Sequence, residues 1–104
     1  MFVARWQVKS KFGHQSDVLD LMKQWDEEVA EQSGFVMKHA RYLTGHIGME
    51  EAVLQTEMEI ENLAELDEFF ELISKVEIHA EWGKKMSDYV VSGSSKWEVL
   101  RVRD

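Results

Sequence analysis

Residues 52–60, AVLQTEMEI, oppose Leu54, Thr56, Met58 and Ile60 to Val53, Gln55, Glu57 and Glu59. Successive side chains of a strand point to opposite faces, so this stretch predicts a strand with one apolar and one mixed face. A slip of one residue would invert every side chain, which fixes its register. Just upstream, residues 36–44 predict the other arm of a hairpin, joined through Gly45, Gly48 and the acidic pair Glu50 and Glu51. Downstream, Asn62 followed by Glu65 resembles a capping box and opens a helix with the stripe Leu63, Leu66, Phe69 or Phe70, and Ile73. The β-branched residues around 76–78 predict a break, after which Ile78, Trp82, Met86, Tyr89 and Val90 keep helical spacing up to Gly93.

The flanks complete the pattern. Phe2, Ala4, Trp6 and Val8 alternate with Val3, Arg5 and Gln7, the mark of a half-buried strand. Over residues 17–32 the period changes: Val18, Leu21, Met22, Trp25 and Val29 form one helical stripe, with Ser16 placed as N-cap and Gly34 as the left-handed C-terminal residue. Ser-Gly-Ser-Ser at 92–95 reads as a loop, and residues 97–102 as a fourth strand. The order β-α-β-β-α-β predicts one α+β domain over residues 1–104, a ferredoxin-like sandwich whose antiparallel sheet carries its helices on one face. Its spatial strand order is then fourth, first, third, second.

On the face away from the helices, this order predicts that Arg101, Arg5, Glu57 and Arg41 come from four successive strands, three guanidiniums around one carboxylate. Gln7, Gln55, Glu59, His39, Trp97, Val99 and Val53 are expected beside them. A face so apolar is unusual for water exposure, and the expected cover is a second copy of the chain. Two readings of the charges stand. They form a cross-strand ladder that keeps register, or they orient a small anionic or carbonyl-bearing ligand in a cavity between two facing sheets. His39 would share this face with Arg41 and is the candidate proton carrier. Trp82 and Tyr89 are candidates for a ligand entrance, although their spacing equally suits the core; Trp6 and Trp25 read as core. His14, His46 and His79 lie before the first helix, in the hairpin turn and at the start of the last helical piece.

Composition excludes several classes. With 104 residues and 44% hydrophobic content, the chain can bury a core without staples, and it has no cysteine for a disulfide, a thiolate metal site or a nucleophile. No histidine pair has helical metal-ligand spacing, so no metal and no cofactor are expected. The formal charge of -8, with Glu57 and Glu59 on the third strand, speaks against nucleic acid and anionic membrane surfaces. Gly45-His46-Ile47-Gly48 lacks the spacing and the lysine of a phosphate loop. Arg5 and Gln7 interrupt the apolar run of residues 1–8, and nothing approaches the ~18 apolar residues of a span, so a cytoplasmic protein is expected.

The opening Phe2-Val3-Ala4-Arg5-Trp6 strand, the Lys11-Phe12-Gly13 turn, the glycine-containing hairpin, the Glu57-bearing third strand and the tryptophan-bearing final helix together resemble the dimeric α+β barrel superfamily, with its antibiotic-biosynthesis monooxygenase-like and NIPSNAP-like branches. That resemblance implies a homodimer whose two sheets form a barrel, in a group that includes oxygenases needing no metal or flavin and haem-degrading enzymes. The haem-degrading pattern of a first-strand asparagine and a histidine after the tryptophan is not met: Trp6 stands at the first position and no histidine follows Trp82. Two functions remain. One is a small-molecule site that binds, or oxidises without a cofactor, an apolar aromatic compound, with His39 and Arg41 as the catalytic candidates and Arg5, Glu57, Trp82, Tyr89 and Arg101 around the ligand. The other is a non-catalytic dimeric module whose barrel is filled by its own side chains. A cavity of ~300 Å³ or more would favour the first.

Overall fold

The computed structural model describes residues 1–104 and orders the elements as β1 (Phe2–Lys9), α1 (Gln15–Trp25), a π-helical turn (Asp26–Ala30), α2 (Glu31–Ser33), β2 (Lys38–Thr44), β3 (Val53–Ile60), α3 (Leu63–Ser74), α4 (Glu77–Ser87) and β4 (Lys96–Arg101). The four strands form one antiparallel sheet in the order β2-β3-β1-β4, the order expected of two right-handed β-α-β units. The fold is α+β and ferredoxin-like.

Local chemistry explains where the elements begin and end. Asn62 accepts the Glu65 backbone N–H at 3.0 Å, and Glu65 reaches back to the Glu61 N–H at 2.7 Å, so one orphan donor of the first turn of α3 and the N–H just before its cap are satisfied. Val76 adopts an extended conformation and separates α3 from α4. Gly34 ends α2 at φ 77°, a left-handed position that favours glycine. In the hairpin, a Cβ on Gly45 would lie 1.8 Å from the Glu50 carbonyl oxygen, so no other residue fits there. The first helix starts earlier than its apolar stripe suggests: the Val18 N–H bonds to the His14 carbonyl, which makes His14 the capping position and leaves Ser16 inside α1. Tyr89 and Val90 lie beyond α4, where Val90 bridges to Ser10.

One face of the sheet meets the helices in two apolar clusters. Ala4, Met58 and Ile60 pack with Val29, Leu66, Phe69 and Ile73, while Val8 and Leu54 pack with Val18, Leu21, Met22 and Met86. The fourth strand sits one step out of the expected phase. Trp97 pairs with Trp6, Val99 with Ala4 and Arg101 with Phe2, so all three belong to the helix face, and Lys96, Glu98 and Leu100 face away from it. Strand KWEVLR has apolar residues in both phases. The phase that wins is the one that seats the Trp97 ring against Phe70, at 5.1 Å between centroids, and sets Glu98 opposite Arg5.

Arg101 therefore leaves the predicted charge cluster. Its guanidinium lies 4.6 Å from the centre of the Phe2 ring instead. The rest of the cluster forms: Arg5 Nε donates to Glu57 Oε1 at 2.6 Å, and Arg41 Nε donates to Glu57 Oε2. Gln55 donates to Gln7 at 2.8 Å beside them. Glu57 is 6% exposed, and its burial alone would raise its pKa. The hydrogen bonds and charges of Arg5 and Arg41 outweigh that and hold the carboxyl below its ordinary value.

Glu57→Ala should cost about 1–3 kcal/mol at neutral pH, because it leaves two guanidiniums crowded and unpaired. Glu61→Ala, which removes only an exposed side chain, should stay within about 0.5 kcal/mol. The depressed pKa makes the Glu57 contribution complete above the pKa of an unfolded glutamate and lost as acid protonates it. Chemical denaturation of both variants checks this, and equal small losses would refute the role of the cluster.

Candidate functional site

Between the helix face of the sheet and the helices lies a cavity of about 300 Å³. All four tryptophans of the chain line it: Trp6 from β1, Trp97 from β4, Trp25 at the end of α1 and Trp82 from α4. The rings touch in sequence around the wall. Centroids are 5.9 Å apart for Trp6 and Trp82, 6.3 Å for Trp82 and Trp25, 5.7 Å for Trp25 and Phe69, and 6.1 Å for Phe69 and Trp97. These spacings suit tilted and edge-to-face contacts.

Three of the indole N–H groups are committed to the protein. Trp6 donates to Ser95 Oγ at 2.7 Å, Trp25 to His79 Nδ1 at 2.9 Å, and Trp82 to the Leu21 carbonyl. Each bond fixes a ring and leaves its carbon surface as the wall. The Trp25 bond also sets the histidine tautomer, since an Nδ1 that accepts leaves the neutral ring's proton on Nε2. Burial holds the His79 pKa below its usual value, so the ring is neutral at pH 7.

Asp26 is the acidic side chain at the wall. It opens the π-helical turn, and it lines both the cavity and an outer depression that also includes Glu27 and Glu31. Met37 and Ala40 share both spaces, so these three residues form the mouth. A bulge builds the opposite lip: His39 and Ala40 stand between the paired residues Lys38 and Arg41, and His39 takes φ 52°, unusual for a residue other than glycine. Burial, with a smaller contribution from the Glu27 charge, raises the Asp26 pKa to about 6. No cation opposes the shift.

The residues singled out from sequence divide between two places. Trp82, Arg41 and Glu57 border the cavity, but the register turns the Arg41 and Glu57 side chains to the open face, where they meet Arg5. His39 lies outside, its side chain 77% exposed and its Nδ1 3.4 Å from Glu59 Oε1. Tyr89 packs against His14, with ring centroids 5.1 Å apart, and Arg101 lies over Phe2. The cavity is thus on the helix side of the sheet, not among the arginines. Asp26 and His79 are the polar residues that pattern reading passed over. A signal for Asp26 was present: it follows Val18 and Met22 at i+4 steps, a charge set in an apolar stripe. His79 likewise precedes Trp82 by three residues on the same helix face.

The fold recurs among solved structures. A NIPSNAP family protein from Agrobacterium tumefaciens superposes with a TM-score of 0.77 at 15% identity, covering 99% of this chain and 93% of that one. A NIPSNAP domain protein from Burkholderia xenovorans gives 0.75 at 10% identity, over 99% and 95%. An antibiotic biosynthesis monooxygenase gives 0.68 at 12% identity over 100% of both chains. No protein-family model matches the sequence, and no curated protein matches it. At these identities the likeness is one of fold, the fold that the opening strand and hairpin resembled.

A raised carboxyl pKa makes Asp26 a source of instability. The unfolded chain releases this proton near 3.8 and the folded chain near 6, so stability is lost as pH climbs through that window and stays lower above it. Asp26→Asn should therefore stabilise the protein at pH 7.5, by about 1 kcal/mol once the solvent access of the carboxyl is allowed for. The gain should disappear below pH 4. Melting curves across pH check this, and a destabilised variant at pH 7.5 would refute it.

Proposed function

We propose that each protomer holds a flat, apolar aromatic molecule in the cavity between sheet and helices, and that two protomers pair through the open faces of their sheets. The observation that carries the binding role is the wall of four tryptophans around about 300 Å³, with 13 of 18 lining residues hydrophobic. Small-molecule sites are mostly apolar spaces of ~300 Å³ upward with a few placed polar groups. Here those groups are Asp26 and His79. Two or three fused rings fit such a space. Of the lining groups, Asp26 is the one able to take a proton from a bound molecule at neutral pH, because its pKa of about 6 leaves it ionised yet basic for a carboxylate.

The pairing proposal rests on the open face. Val3, Leu43 and Leu100 surround the Arg5-Glu57-Arg41 cluster there, and Leu100 is 43% exposed. A two-fold axis would lay this patch on its own copy and bury its apolar residues on both sides. The face is less apolar than the sequence suggests, since Trp97 and Val99 belong to the cavity side.

The native protein should bind 1-methylnaphthalene saturably, at one molecule per protomer, and Ala40→Trp should block the mouth and abolish binding. His39→Ala should bind as the wild type does. Titration followed by calorimetry reads both, and unimpaired binding to Ala40→Trp would remove the site from this cavity. In sedimentation at micromolar concentration the wild type should run as a dimer and Leu100→Glu as a monomer; a monomeric wild type would refute the pairing.

A further inference from the structure

We infer that the cavity selects a cation: an aromatic or apolar molecule carrying a quaternary ammonium or protonated amine, with the tryptophan rings as its walls and Asp26 as its counter-ion. The inference deepens the binding role proposed above and depends on it.

It rests on which groups the cavity offers. An anion needs a positive charge as well as donors: the N–H groups of Trp6, Trp25 and Trp82 are spent on Ser95, His79 and Leu21, and the donors that remain, on Trp97, His79, Tyr42 and Thr56, are neutral. What those rings turn to the space is π surface, negative at its face and attractive to a cation within ~6 Å of the ring centre. Four of the 18 lining residues are tryptophans, and tryptophan is the strongest of the aromatic cation acceptors.

Charge points the same way. Asp26 borders both the cavity and the outer depression, on the helix stripe that buries Val18 and Met22, and Glu27 and Glu31 stand in that depression. The positive groups nearby do not oppose a cation. His79 is held neutral by burial, and the Arg41 guanidinium is turned to the open face and bonded to Glu57. Asp26 has no ion-pair partner in the protein, whereas Glu57, the other acidic residue bordering the cavity, has two. A cation in the cavity would supply the missing partner and reverse the burial penalty on the carboxylate.

The test compares three probes of one shape on the native protein by calorimetry: N-methylquinolinium, neutral 1-methylnaphthalene and anionic 1-naphthoate. The cation should bind at least about tenfold more tightly than the neutral probe, and the anion most weakly. Asp26→Asn should weaken the cation about tenfold or more and change the neutral probe less than about twofold. In the wild type, cation affinity should rise with pH around 6, where Asp26 ionises, although the probe's own charge is fixed. That pH profile needs no variant. Equal or tighter binding of 1-methylnaphthalene, or a flat pH profile, overturns the cation inference and leaves the aromatic site standing. Binding of none of the three probes overturns both.

Discussion

Three indole hydrogen bonds keep the layer between sheet and helices open. Protein interiors pack like organic crystals, and apolar side chains facing a void ordinarily move to fill it. Trp6, Trp25 and Trp82 are not free to do so, because each ring is pinned at its N–H by an acceptor on another element: the loop before β4, α4, and the carbonyl of Leu21. A dry void of about 300 Å³ would cost about 7 kcal/mol on the scale of engineered core cavities, much of a domain's stability. The space instead opens through Asp26, Met37 and Ala40 to the outer depression. Rigid walls and an open mouth are the two properties a preformed site requires.

The sheet separates two kinds of chemistry across the thickness of one strand layer. On its open face, charges close on one another: Glu57 is satisfied by Arg5 and Arg41, Gln7 by Gln55. On its helix face the polar groups are few and are left with capacity, His79 through Nε2 and Asp26 through its carboxylate. Alternation along β3 produces this division. Thr56 and Met58 face the cavity, and Glu57 between them faces away. A residue-by-residue alternation therefore places a structural ion pair and the wall of the aromatic cavity back to back.

Most of the fold was legible because its signals are local and redundant. Strand β3 alternates from Leu54 to Ile60, Asn62 and Glu65 cap α3 as their spacing implies, Gly34 ends α2, and the β-α-β-β-α-β connectivity predicts the observed sheet order. The fourth strand was legible but its phase was not, since Trp97, Val99 and Leu100 give it apolar residues in both phases, and the contacts of Trp97 with Phe69 and Phe70 and the pairing of Glu98 with Arg5 decide between them. That single phase moved Arg101 out of the charge cluster and Trp97 into the wall of the cavity. Charge drew attention to the arginines, but paired charge is the mark of a closed face. The cavity is marked by side chains that read individually as core, and their convergence is a property of tertiary packing that no spacing encodes.

Two carboxylates, one buried and one half-buried, respond to the loss of water in opposite ways. Glu57 is the more deeply buried, yet its pKa is lowered, because two guanidiniums more than offset the loss of water; ionised, it holds three strands in register. Asp26 is half-buried and its pKa is raised to about 6, because nothing offsets that loss and Glu27 adds to it. A carboxylate that works against folding at neutral pH has no reason to occupy an apolar stripe on structural grounds. Leucine or methionine there would continue the run of Val18, Met22 and Val29 and close the mouth of the cavity. Its position at the first residue of a π-helical turn, a distortion that recurs at functional sites, is the same kind of local cost. Both costs fall on one residue where the aromatic cavity meets the outer depression, and a positive charge placed there would remove the charge penalty.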